Sequence, residues 1–130
     1  MPDTPCPCSP KKLLTNCCGR YHTGEPAPTA EALMRSRYSA FALGLTGYIR
    51  DTTRPDQQAG LDMQDIAGWS HSNQWLGLRL HRTGAAGMQP RREFVDFSAH
   101  YCDAEGKLHE HRELSLFVHL KGRWYFIQPD

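Results

Sequence analysis

Cys6-Pro7-Cys8 and Cys17-Cys18-Gly19 place four of the chain's five cysteines between positions 6 and 18. Two thiolate pairs closed on each other by a short turn offer four sulfur ligands in the tetrahedral arrangement of a closed structural Zn²⁺ site. A disulfide staple is the competing reading of clustered cysteines in a short chain. Three observations weigh against it. No charged segment followed by an apolar stretch opens the chain, Cys102 is left without a mate, and a bridge between the neighbours Cys17 and Cys18 would be strained. Four thiolates leave no coordination position for water, so the expected metal is structural zinc held by Cys6, Cys8, Cys17 and Cys18. His22 is a lesser ligand candidate, because the cysteines already fill the site.

Zinc bound by four thiolates carries net negative charge, and Lys11, Lys12 and Arg20 stand where they can offset it. The chain as a whole is nearly balanced, with 15 basic and 14 acidic residues. That excludes any global attraction for nucleic acid or anionic membrane. No apolar run approaches the ~20 residues of a spanning helix, so the expectation is a soluble, cytoplasmic protein with reduced cysteines.

Gly24 to Pro28, with two prolines and a glycine, reads as a joint between the cysteine segment, residues 1–23, and a second unit, residues 24–130. Beyond the joint Thr29 is an N-cap, Glu31 lies in the first turn, and Met34, Tyr38, Phe41 and Leu45 recur at helical spacing up to Gly44 or Gly47. Asp51 to Leu61 reads as loop. Met63, Ile66 and Trp69 mark a second helix introduced by Asp62. From Trp75 the period becomes two. Leu76, Leu78 and Leu80; Val95, Phe97, Ala99 and Tyr101; Leu114, Leu116 and Val118; and Trp124 to Ile127 form four runs separated by turns at Gly84–Gly87, Ala104–Lys107 and Lys121-Gly122. Helices first and a strand meander afterwards predict an α+β fold with helices on one face of a curved antiparallel sheet.

The cysteine segment resembles the SEC-C motif, the zinc knuckle at the C-terminus of the SecA translocase ATPase. The run Tyr21 to Phe41 is similar to the signature of the bacterial YchJ family, which joins that knuckle to a nuclear-transport-factor-like domain. The similarity resumes at Trp75-Leu76-Gly77-Leu78, Phe94 to Phe97 with Tyr101, Glu113 with Ser115, Phe117-Val118, and Gly122 to Tyr125. The resemblance implies a cone: a bent sheet of about four strands wrapped around a helix, with a pocket at the open end. The chain departs from the motif at Ser9-Pro10-Lys11, where the knuckle has Gly-Ser-Gly. Two residues able to take positive φ and one backbone N–H are lost there.

Fold does not choose the function. The first reading is a zinc-binding protein-interaction module. The SecA knuckle contacts the SecB chaperone and the ribosome, so the resemblance implies a partner from protein synthesis or export; the open sheet face is a candidate homodimer surface. The second reading is an enzyme of isomerase, dehydratase or hydrolase type, using Arg35 and Tyr38 from the first helix with Asp96, His100 and Glu113 from the sheet as pocket groups. Those polar residues more commonly face water or, as Arg35 with Glu113, form a structural ion pair, so the interaction role ranks above catalysis. The third and weakest is RNA or ribosome binding through Lys11, Lys12, Arg20 and Tyr21.

Overall fold

The computed structural model describes residues 4–129. Two short strands, β1 (Pro5–Cys6) and β2 (Ser9–Leu13), form an antiparallel hairpin, followed by a 3-10 turn and the one-turn helix α1 (Gly19–His22). Then come α2 (Ala30–Leu43), α3 (Thr46–Asp51) and α4 (Met63–Ser72). A meander closes the chain: β3 (Gln74–Met88), β4 (Arg91–Cys102), β5 (Leu108–Leu120) and β6 (Arg123–Ile127), hydrogen-bonded in that order and antiparallel throughout.

The long helix forms where the sequence places it. Thr29 caps its start, its hydroxyl accepting from the Ala32 N–H at 3.0 Å. Its end is Gly44 at φ 76, a left-handed position that only glycine occupies without strain. Buried residues lie on nearly every side of α2, among them Leu33, Met34, Ser36, Arg37, Tyr38 and Ser39, which is the pattern of a central helix. Asp62 caps α4 in the same manner, accepting from the Asp65 N–H at 3.0 Å. The segment expected to be a loop, Asp51 to Leu61, is partly ordered as a 3-10 helix over Pro55–Gly60, and a short helix not expected from the sequence, α3, precedes it. Residues after α3 are tied to the last strand: Phe126 N–H donates to Thr52 O at 2.7 Å and Arg54 N–H to Phe126 O at 2.8 Å.

The sheet corrects two expectations. No turn occurs at Gly84–Gly87; β3 runs through both glycines and reverses at Gln89-Pro90. The glycines serve close packing instead. A Cβ on Gly84 would stand 2.6 Å from the Phe94 ring across the strand pair. Three register shifts along β3, at Trp75/Gly77, Leu80/Arg82 and Ala85/Gly87, bend the sheet around α2. The second correction concerns β5, whose apolar phase is reversed. Leu114 and Leu116 are 50% and 39% exposed on the convex face, while Glu113, Ser115 and Phe117 point inward. Register dictates this, since Glu113 lies opposite Phe97 and Ser115 opposite Val95, and directly opposed residues share a face.

The main core joins Tyr21, Ala27, Ala30, Leu33 and Met34 to Val95, Phe117, Trp124 and Phe126. Burying a side chain such as Phe117 stabilises the fold by ~1.5–3 kcal/mol. Tyr21 belongs to the cysteine segment, so the two units expected at 1–23 and 24–130 share one core. The sheet's last turn, Lys121-Gly122, has both residues at positive φ (50 and 83), the geometry of a tight hairpin. Among the described residues no helix is long and apolar enough to cross a membrane.

Gly44→Ala forces a Cβ into the left-handed region and to within 3.0 Å of the His71 ring. Urea unfolding should show a loss of ~1–2 kcal/mol with unchanged slope. An unaltered midpoint would mean that α2 ends elsewhere in solution.

Candidate functional site

The four cysteines of the N-terminal arm converge. Sγ of Cys8 lies 3.6 Å from that of Cys6, 3.5 Å from Cys17 and 3.5 Å from Cys18, and all four lie within 4.8 Å of one another. A tetrahedron of Zn–S bonds of ~2.3 Å has sulfurs ~3.8 Å apart, so the donor set fits one such ion. Cys6, Cys8 and Cys18 are buried, at 1%, 6% and 1% exposure. Crowded together, the sulfurs shift one another's proton affinity. Interaction with Cys18, then with Cys8, holds Cys6 well below its ordinary thiol value, whereas Cys6, Cys8 and burial push Cys18 far above it. A metal ion would displace the protons that remain.

Local chemistry explains the convergence. Pro7 and Cys8 form the turn between β1 and β2, with Cys6 paired to Ser9. None of residues 5–18 has positive φ, so Ser9-Pro10-Lys11 meets no backbone demand for the missing glycines. Pro10 lies on a two-stranded ribbon, where an absent N–H is tolerated. Gly19 has a different reason to be glycine: a Cβ there would stand 2.7 Å from the Leu14 carbonyl oxygen. Only a bare α-carbon lets α1 approach the preceding turn closely enough to aim Cys17 and Cys18 at the first pair.

The cluster is seated on α2. Cys6 Sγ lies 3.5 Å from the buried Ser39 hydroxyl, and Cys6, Cys8 and Cys18 pack with Tyr38 and Ala99. His22 is not a ligand. Its Nε2 lies 2.8 Å from the Ser36 carbonyl, to which it donates, and its ring meets Tyr48 edge-on at 4.8 Å. Burial depresses its pKa below the ordinary value of 6.5, partly opposed by that hydrogen bond and by the charge of Cys6. Arg35, expected in the pocket, instead bonds Glu31 at 3.0 Å. Burial opposes its charge, but Glu31 and then the Cys8 sulfur outweigh this and raise its pKa. Arg35 is therefore held as a cation beside Cys8, while Lys11 and Lys12 stand exposed on β2.

On the opposite side of α2 a cavity of ≈ 450 Å³ opens between α2, α4 and the concave face of the sheet. Of the residues proposed from sequence, it brings together Tyr38 and Glu113. Asp96 and His100 sit across β4 from Phe97 and Ala99 and face outward, where Asp96 accepts from Arg112 at 3.0 and 3.1 Å. Arg112, followed by the more distant Arg82, holds the Asp96 carboxyl below its ordinary range. The expected Arg35–Glu113 pair does not form. Glu113 instead accepts from Ser115 and lies 3.0 Å from His111 Nε2. Tyr38 has a buried hydroxyl without a well-formed hydrogen bond; burial pushes it up to about 12, with the Gly77 backbone pulling the other way. Trp69 and Trp75 line the cavity, whereas Trp124 is core.

The residue that sequence reasoning missed is Arg37. It is 8% exposed, and its Nη1 donates to Ile49 O at 2.9 Å and to the Thr52 and Thr53 hydroxyls at 2.7 and 3.4 Å. Its guanidinium lies 4.3 Å from the Phe126 ring centre. Burial lowers its pKa to about 10, against the raising influence of Tyr48 and Glu113. The available signal was position: Arg37 follows Met34 by one turn on the same face as Tyr38 and Phe41.

Because the folded pKa of His22 lies below its unfolded value, its contribution to stability is full above about pH 6.5 and is lost as pH falls through the lower folded value. An NMR titration should place the His22 midpoint below 6.5; a midpoint at or above it would mean a solvated ring. Gly19→Ala should loosen any metal held by the cysteines by ~10-fold or more, measured by chelator competition, because moving α1 by a few tenths of an ångström degrades the sulfur geometry. Unchanged affinity would show that the Leu14 contact does not position the second pair.

The family model described as the YchJ middle NTF2-like domain matches residues 29–129. A SEC-C motif containing protein from Psychrobacter arcticus, solved by crystallography, is 36% identical with a TM-score of 0.86, covering 98% of this chain and 82% of its own. A second SEC-C motif containing protein, from Rhodopseudomonas palustris and solved in solution, is 34% identical with a TM-score of 0.85, covering 96% of each chain. The cysteine arm and the cone beyond it are thus both found in solved relatives, and the chain belongs to the YchJ family of SEC-C motif proteins with an NTF2-like domain.

Proposed function

We propose that Cys6, Cys8, Cys17 and Cys18 hold a structural Zn²⁺ and that the arm so organised is a protein-interaction module. The observation that carries this reading is the convergence of four sulfurs, three of them buried against α2. A site built from four thiolates and closed by protein has no position for a substrate or an activated water, which argues for a structural rather than a catalytic ion. What the arm turns outward is its rim. Pro10, Lys11, Lys12 and Leu13 are exposed along β2, with Arg20 exposed nearby. A small basic and apolar edge held rigid by metal suits an acidic protein segment. Likeness to the SecA knuckle favours a partner in protein synthesis or export.

Neither alternative gains comparable support. An acid–base set needs Asp96 and His100 beside Glu113, yet Glu113 shares the face of Phe97 while Asp96 and His100 lie on the other. An RNA-binding knuckle needs an aromatic platform, and Tyr21 is 7% exposed with Arg20 lying over its ring.

Native mass spectrometry of the reduced protein should find one zinc per chain, absent from Cys18→Ser. Structural zinc binding couples to folding with ~10–16 kcal/mol in small metal domains; losing even a few of these on chelation would lower the Tm by ~10 °C or more. Lys11→Glu/Lys12→Glu should retain zinc and lose the captured partner. A folded, reduced, metal-free chain would sink the zinc reading, and capture that survives the double charge reversal would sink the proposed rim.

A further inference from the structure

We propose that the cavity behind α2 binds a small organic carboxylate, its anionic head on Arg37 and its apolar body against Trp69, Trp75 and Phe97. The inference is independent of the metal reading. The volume, ≈ 450 Å³, falls within the ~300–1,000 Å³ of small-molecule pockets. Most of the wall is aromatic or aliphatic, with Met34, Phe41, Ile49 and Ile66 added to the three rings. A core made only for stability would fill such a space with side chains.

Arg37 supplies the reason for the ligand's charge. Among the described residues no carboxylate lies within 4.0 Å of its guanidinium, although eight other ion pairs form. Among the described residues all of its hydrogen bonds leave from Nη1 toward the end of α3, so Nη2 and Nε meet no protein acceptor there. Glu113 favours the Arg37 charge only from beyond ion-pair distance; a buried guanidinium with no direct ion pair is poorly compensated, and its planar fork matches a carboxylate. Glu113, a carboxylate of the same cavity, is turned instead to His111 and Ser115. It would repel a ligand carboxylate that strayed from Arg37, and so fixes the ligand's orientation. Asp65 also lines the cavity. With two acidic groups present and one buried cation, a singly charged carboxylate suits the site better than a dianionic phosphate. A neutral apolar guest would leave Arg37 unpaired, and a cationic one would face it directly.

The probes are 2-naphthoate and its neutral isostere 2-naphthamide, titrated into the full chain and followed by tryptophan fluorescence and by two-dimensional NMR. Naphthoate should bind with 1:1 stoichiometry and at least 10-fold more tightly than the amide, with shifts concentrated on Trp69, Trp75 and Phe97. Arg37→Gln should abolish the preference; Trp69→Ala, at an exposed position on the rim, should weaken both probes about equally and keep it. Should Arg37→Gln fail to fold, the comparison of the two probes on the natural sequence decides alone. Equal affinities, tighter amide binding, absence of saturable binding, or shifts confined to the convex face would each overturn the proposal.

Discussion

Four sulfurs meeting on the flank of α2 tie together the described residues that precede that helix. Cys6 and Cys8 come from a hairpin turn, Cys17 and Cys18 from the entry to α1, and neither piece is long enough to hold its shape alone. Their common seat is Ser39 and Ser36, both fully buried, one against Cys6 and the other through its carbonyl to His22. The arm is thus built onto the domain. Small polar residues at 36 and 39 suit this seat: a bulky apolar side chain would hold the arm away, and the Ser36 hydroxyl is satisfied by the Leu33 carbonyl and the Tyr48 hydroxyl.

One helix therefore separates two environments. Toward the arm α2 turns Arg35, Ser36 and Ser39; toward the cavity it turns Met34, Arg37 and Phe41. Tyr38 belongs to both, packing with Cys6, Cys8 and Cys18 while meeting the cavity residue Trp75 edge-on at 5.9 Å. Arg35 and Arg37 are two residues apart in sequence and serve opposite sides. Arg35 is half-exposed and paired with Glu31; Arg37 is buried, donates to two hydroxyls and a carbonyl, and lies over the Phe126 ring.

Where the sequence carried local chemical markers it was legible. The cysteine spacing, the Thr29 and Asp62 caps, Gly44, and the Lys121-Gly122 turn each carry their reason within a few residues. What failed was long-range. Thr46–Asp51 is too short a helix for periodicity to reveal, and Tyr48 and Ile49 acquire their roles only through Ser36 and Arg37. Gly84 and Gly87 look like turn residues until Phe94 and Arg92 are placed opposite them. In β5 an alternating pattern fixes the period but not the phase. Nothing local to Glu113-Leu114-Ser115-Leu116 says that the leucines face out; the pairing with Val95 and Phe97 decides.

That reversed phase bears on what the cone is for. If the concave face existed only to cover α2, Leu114 and Leu116 would serve better inside than Glu113 and Ser115, and moving one register would place them there. The chain instead keeps the leucines on the convex face and directs His111, Glu113 and Ser115 toward a space that also holds a buried arginine. Each of these polar groups lowers the apolar burial the sheet could have achieved. They are tolerated because they satisfy one another, Glu113 taking both His111 and Ser115 as partners. Such an arrangement suits a recess shaped to meet polar and apolar parts of a guest at once. The fold accordingly splits its duties: the cysteine arm covers one side of α2, and the other side is left hollow.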